Sequence, residues 1–267
     1  MKRQDKKHLF DKFCQKISQI KERFESIGVT SQALSTLEFR QVVIDMKKLL
    51  MESDFLPIFD KIQKDKKLAK VAEELRDIYF QYYIYQESKA ALGIILDKSK
   101  NPFISNNSML AEREAEFSNI NKKSHVFFIG SGPFPWTAIN YATPRRCRVT
   151  CIENNPAAVS LSAELIKKLS LDSLISVFCA NAQKFDYDQA THVTIAGMVN
   201  PKTIILKQIN DTSRRDVKII ARSSFDLYFF MYERITRDML KDFKIINVVT
   251  AGKNSELVSY ILVKKIL

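Results

Sequence analysis

Glycine, cysteine, histidine and tryptophan are all scarce in this chain, at 6, 4, 3 and 1 among 267 residues. The four cysteines, Cys14, Cys147, Cys151 and Cys179, fit no disulfide framework and no zinc spacing, and two of them lie inside strand-like runs. All four read as buried free thiols. His8, His125 and His192 are too scattered for an enzyme-held metal, so no bound metal is expected. No apolar run approaches the ~20 residues of a membrane span, and no membrane partner is expected. The basic start "MKRQDKK" leads into neither the apolar core nor the small-residue cleavage site of a secretory signal, so the expected compartment is the cytoplasm.

What is present is a chain with ample apolar residues for a core, 46% by composition, and a charge of +12 from 42 basic and 30 acidic side chains. The basic excess is spread along the sequence, and no aromatic-and-basic recognition motif accompanies it. Nucleic acid is therefore not an expected partner.

Two kinds of pattern divide the sequence. Up to about residue 120 it is nearly free of glycine, charged and helically periodic. In "KKHLFDKFCQKISQIKERF" the residues Leu9, Phe13, Ile17, Ile20 and Phe24 recur at spacings of three and four, the stripe of an amphipathic helix. Further helices are expected in "SQALSTLEFRQVVIDMKKLLM" and "KKLAKVAEELRDIYFQYYIYQESKAALGIIL", with a shorter piece in "DFLPIFDKIQK" and a last one in "SMLAEREAEF". "SKNPFISNN" interrupts this pattern.

From residue 125 short β-branched and aromatic runs alternate with helices: "HVFFIG", "RVTCIE", "ISVFCAN", "HVTIAGMV", "DVKIIARSS", "INVVTAG" and "LVSYILVKK". Such alternation implies parallel strands joined by crossover helices, here "PWTAINYA", "PAAVSLSAELIKKL", "PKTIILKQI" and "FDLYFFMYERITRDML". The last two strands are too close in sequence for a crossover and should form an antiparallel hairpin. The expected fold is α/β: a Rossmann-like, mostly parallel sheet of the S-adenosylmethionine-dependent transferase kind over residues 121–267, preceded by a helical bundle over residues 1–120.

Ligands of open α/β sheets sit beyond the carboxyl ends of the strands, where glycine turns let the backbone approach them. The first strand runs into "GSGPFPW", whose Gly130, Ser131, Gly132 and Pro133, with Thr137 in the following helix, form a candidate nucleoside loop. Pro135 stands where the dinucleotide fingerprint has its third glycine, which favours a cofactor without phosphates. About twenty residues after Gly132 the second strand ends in "CIENNP". Glu153, beside Asn154, is placed to accept ribose hydroxyls, or else helps to cap the next helix. Asn181 and Ala182 follow the third strand and Gly197 and Met198 the fourth, which adds candidates for the same edge.

These segments resemble the nicotianamine synthase family, including bacterial members that make opine-type metallophores. The "GSGPFP" loop, "CIENNPAAVSLS", "HVTIAGMV", "IIARSS" and "SELVSYILVKK" carry the resemblance over residues 125–265. It implies S-adenosylmethionine as a substrate. Its 3-amino-3-carboxypropyl group would pass to the amine of a small amino-acid-like acceptor, leave methylthioadenosine and build the precursor of a metal chelator. It also implies a catalytic glutamate on a helix before the sheet, and Glu87 matches it. In "DIYFQYYIYQESKAALGIIL" the residues Ile78, Tyr82, Tyr85, Leu92 and Leu96 form the main apolar face, while Glu87 lies on a second one with Phe80, Ile84 and Ala91. A carboxylate so placed should be desolvated and its pKa raised into a range useful for taking a proton, unless it forms an ion pair between domains.

The family's plant members carry a tyrosine-rich "YNNY" segment, against which this chain has "SNNS". Ser105 and Ser108 replace the tyrosines, and Asn106 is kept as a substrate-binding candidate. Arg222 matches a family arginine, for a substrate carboxylate or for an ion pair with a local acid. Two alternatives stand beside this reading: a methyltransferase using the same cofactor, and a non-catalytic nucleoside-binding member. A homodimer is left open.

Overall fold

The computed structural model describes residues 3–97, 106–252 and 255–265. Two compact units make up the chain, residues 1–85 with 224–232, and residues 86–223 with 233–267. The division at residue 85 falls inside a long helix and differs from the change of sequence pattern at residue 120.

The first unit is helical. It contains α1 (Arg3–Ile27), α2 (Ser31–Leu34), α3 (Leu37–Met51), α4 (Phe59–Lys64) and the first part of α5 (Lys66–Ile95). Thr30 and Thr36 accept main-chain N–H bonds and so start α2 and α3 separately, which splits the second sequence helix in two. Phe13, Ile17, Ile20 and Phe24 of α1 are buried as the stripe implies, and Phe24 packs on Phe39 with ring centroids 5.0 Å apart. Burying each such side chain contributes on the order of 2 kcal/mol.

Two expectations about helices fail. Residues 225–240 do not form a crossover α-helix but two short 3₁₀ turns, Asp226–Phe230 and Asp238–Leu240. Leu227 to Tyr232 are six consecutive buried residues, so the segment is enclosed on all sides rather than on one helical face. Phe230 meets Phe13, Phe229 meets Phe59, and Arg76 donates to Phe229 O at 2.8 Å, contacts that replace the helical pattern. In α5 the buried line is Leu68, Ala72, Leu75 and Tyr79, continued by Glu87, Ala90 and Ala91, whereas Phe80, Leu92 and Leu96 are exposed. The helix is apolar or aromatic around most of its circumference, so its neighbours choose the buried face rather than its periodicity.

The second unit holds a seven-stranded sheet. Its elements are α6 (Asn106–Phe117), β1 (His125–Ile129), α7 (Trp136–Arg145), β2 (Arg148–Glu153), α8 (Pro156–Lys168), β3 (Ile175–Cys179), β4 (His192–Ile195), α9 (Lys202–Thr212), β5 (Lys218–Ser224), β6 (Phe243–Thr250) and β7 (Leu257–Lys264). The strand order is β3-β2-β1-β4-β5-β7-β6. The pairs among β1 to β5 are parallel, and β6 and β7 pair antiparallel as expected. The central strands are the most apolar because both faces are covered, and β4 is buried at every position. At the sheet edge Cys179, the last residue of β3, is exposed, contrary to the buried thiol expected of it. Cys151 in β2 is buried, and burial pushes its thiol up to about 12. Among the described residues no helix is long and apolar enough to cross a membrane.

Candidate functional site

The order of strands reverses at β1, whose neighbours are β2 on one side and β4 on the other, and the crevice beyond their carboxyl ends is where such sheets hold ligands. There β1 passes into Gly130 and Gly132, with φ of 72° and 65°, left-handed values that favour glycine. Gly130 has a second reason to lack a side chain. A Cβ built on it would lie 2.3 Å from Val199 Cγ2, in the loop after β4. Between the glycines Ser131 is buried, next to the thiol of Cys151.

Glu153 fastens this loop to its own. Its Oε2 accepts from Gly132 N at 3.0 Å, and its Oε1 accepts from Asn154 N and Asn155 N at 2.9 Å each. Capping of α8 falls to Asn155, whose side chain accepts from Ala157 N and Ala158 N. A carboxylate offers about four lone-pair positions, so three main-chain donors leave one for a hydroxyl. Asn181 and Asn154 are exposed, and Asn181 Oδ1 accepts from Gln183 N at 2.9 Å to shape its turn. Ala182 O accepts the Tyr187 hydroxyl at 2.8 Å, Gly197 and Pro133 are buried, and Met198 is half-buried.

The end of α5 packs on the same loop. Ala90 and Ala91 form one apolar cluster with Phe134 and Leu165, and Trp136 and Ile139 lie against it. Glu87, 9% exposed, precedes Ala90 and Ala91 by one helical turn, about 5 Å along the axis. The Trp136 indole also donates to Ser108 Oγ at 3.0 Å, which ties α6 to the loop. Asn106 opens α6, but its side chain lies outside the described residues, as does Ser105.

Of the two partners considered for Arg222, the structure supplies the local acid. Arg222 Nε and Nη2 donate to Glu114 Oε1 and Oε2 at 2.9 and 2.7 Å, and Nη2 also donates to Thr137 Oγ1 at 3.0 Å. Glu114, fully buried, further accepts the hydroxyls of Tyr141 and Ser259. Burial, and then the Glu114 charge, hold the Tyr141 phenol well above its usual range, so it remains a donor. This network joins α6, α7, β5 and β7. It also engages Thr137 from within the protein.

The sequence profile described as "Nicotianamine synthase protein" matches residues 66–267. The chain belongs to the nicotianamine synthase family. Two crystal structures of MtNAS, a glutamate-to-glutamine variant in complex with S-adenosylmethionine and a complex with MTA and tNA, both superpose with a TM-score of 0.80. Their identities are 19% and 18%, and the matches cover 94% and 96% of this chain and 97% and 98% of theirs. At that identity the likeness establishes the fold. The structure of the mitomycin 7-O-methyltransferase MmcR is less similar, with a TM-score of 0.54 at 12% identity over 89% of this chain and 73% of that one. Two curated relatives, both "L-histidine 2-aminobutanoyltransferase" of Pseudomonas aeruginosa strains, are 26% identical over 110 residues, 41% of this chain. The match spans 42% of the length of those relatives.

Within this family member two buried charges escaped the sequence reading, Glu114 and Lys202, and the rule applied to Glu87 would have found both. Glu114 stands on the stripe of Leu110, Ala111 and Ala115, and Lys202 on that of Ile205, Leu206 and Ile209, all buried. A charge on an apolar helical stripe is the common signal. Among the described residues no group of histidine, cysteine, aspartate and glutamate could hold a metal ion.

Proposed function

We propose that the chain transfers the 3-amino-3-carboxypropyl group of S-adenosylmethionine to the amine of a small amino-acid-like acceptor. One observation carries this reading within the family: a buried glutamate, Glu87, one helical turn from the residues that pack on the glycine-proline loop. The loop itself suits a nucleoside. Left-handed Gly130 and Gly132 and the remaining lone pair of Glu153 offer a close backbone approach and a ribose acceptor.

In the reaction, the acceptor nitrogen attacks the methylene carbon by which the aminocarboxypropyl group is bound to the sulfonium. The new C–N bond forms as the C–S bond breaks, and the electron pair of that bond stays on sulfur, giving methylthioadenosine. The nitrogen loses a proton, and Glu87 takes it as general base. Orientation selects which of the three sulfonium carbons is attacked, because only the one held in line reacts. Asn106 is kept as the candidate for binding the acceptor, whereas Arg222, paired with Glu114 and Thr137, is given a supporting role. The product is the precursor of a metal-chelating metallophore, so metal belongs to the product. Four free cysteines suit a reducing compartment such as the cytoplasm.

Incubation of the protein with S-adenosylmethionine and a panel of amino acids, read by mass spectrometry, tests the reading. Methylthioadenosine is the expected product. S-adenosylhomocysteine would make the chain a methyltransferase, and cofactor binding without either product would make it a non-catalytic member. Glu87→Gln is expected to keep cofactor affinity and to lower kcat about a hundredfold or more, the usual worth of a general base. Unchanged turnover removes Glu87 from that role.

A further inference from the structure

Local rules argue twice against a lysine at position 202. It is the first residue of α9, where the helix dipole disfavours a cation, and its side chain is 0% exposed. The ammonium is answered by carbonyls. It donates to Gly197 O at 3.0 Å, Val199 O at 2.8 Å and Glu233 O at 3.3 Å, with the Glu233 carboxylate 3.6 Å away. The same carboxylate accepts from Lys202 N at 2.8 Å, so Glu233 holds both the main chain and the charge of Lys202.

Two of those carbonyls belong to the loop that leaves β4 at the switch point of the sheet. Val199 in that loop also fills the space that a side chain on Gly130 would need. The ammonium, the β4 loop and the glycine loop are therefore linked by consecutive contacts.

We propose that Lys202, braced by Glu233, is a positioning residue for the S-adenosylmethionine site: its ammonium draws the Gly197 and Val199 carbonyls together and so sets the wall against which the Gly130 loop closes. This rests on the cofactor reading above. Lys202 touches no reacting atom and acts through the two loops. A neutral side chain of similar length would leave buried carbonyls without a donor, and the loop would open to find water.

Calorimetric titration of the full chain with S-adenosylmethionine, together with amide hydrogen exchange without ligand, tests the proposal. Lys202→Met is expected to weaken binding about tenfold, with kcat at saturating cofactor within about threefold of the parent, and to speed exchange at residues 197–199 and 130–132. A lysine that served stability alone would lower the melting temperature but leave the Kd of the folded fraction as it was, and that result overturns the proposal. If Lys202→Met does not fold, Glu233→Gln takes its place, with binding expected about threefold weaker and unchanged affinity counting against the proposal. Should the parent protein itself fail to bind S-adenosylmethionine, the site reading falls. The exchange comparison still decides the remainder, since equal exchange in variant and parent at both loops refutes the hold of Lys202 on them.

Discussion

Replacing Gly130 by alanine adds one methyl group at the meeting point of two loops. The cost has two parts. Alanine at φ 72° is held in a left-handed conformation, which costs about 1–2 kcal/mol. Its Cβ would also lie 2.3 Å from Val199 Cγ2, a distance that forces a side chain or backbone shift of the kind that costs about 1–3 kcal/mol. The sum, about 2–5 kcal/mol, corresponds to a fall in melting temperature of roughly 5–15 °C for a protein of this size. Val199→Ala removes the colliding methyl groups, so in that background Gly130→Ala should retain only the conformational part. The double-mutant cycle, read by urea denaturation, should therefore show a favourable coupling of about 1–3 kcal/mol. If Gly130→Ala costs the same in both backgrounds, the two loops do not meet as described. If it costs nothing in either, the left-handed conformation is wrong as well.

Glu153→Ala removes the acceptor of three main-chain N–H groups and, under the proposed function, the ribose partner. S-adenosylmethionine affinity should fall at least about tenfold by calorimetry, and equal affinity would remove Glu153 from the binding site. Arg222→Met leaves the fully buried Glu114 carboxylate with hydroxyl donors alone, and unfolding in urea should show a loss of about 3–5 kcal/mol. A loss below about 1 kcal/mol would mean that the pair is not closed in solution. His192 is buried, with Nε2 3.0 Å from Ser118 O, and its pKa is lowered first by burial and also by the nearby Lys218 charge. Its neutral form is the native one. Its contribution is full above the unfolded-state value of about 6.5 and is lost as pH falls through the lower folded value. Denaturation midpoints should drop between pH 7.5 and 5.5 and do so less in His192→Gln; parallel curves for the two proteins would exclude His192 as a source of acid sensitivity.

Much of the sheet is legible because each strand carries its signal within four to eight residues. "HVFFIG", "RVTCIE" and "HVTIAGMV" are dense in β-branched and aromatic side chains, and they became β1, β2 and β4. The first helix is equally plain, since its apolar residues fall on one face and that face is buried. The segment "FDLYFFMYERITRDML" misled for the opposite reason: apolar residues on every side carry no periodic information, and the first unit took them as consecutive buried contacts. α5 misled in the same way over its aromatic stretch. For Glu87, matched through the family resemblance, the expectation of burial beside Ile84 and Ala91 does hold.

The sequence by itself determined the alternation of strands and helices, the glycine-proline turn after β1 and the acid about twenty residues beyond it, because each depends on neighbours along the chain. Tertiary structure alone decided that Arg222 meets Glu114, 108 positions away, that Cys179 lies on an exposed edge strand while Cys151 is enclosed, and that Lys202 buries its charge against the carbonyls of the β4 loop. Those outcomes depend on which surfaces are brought together. A buried charge is tolerated only where the fold supplies its partner, and the partner's identity is written elsewhere in the chain.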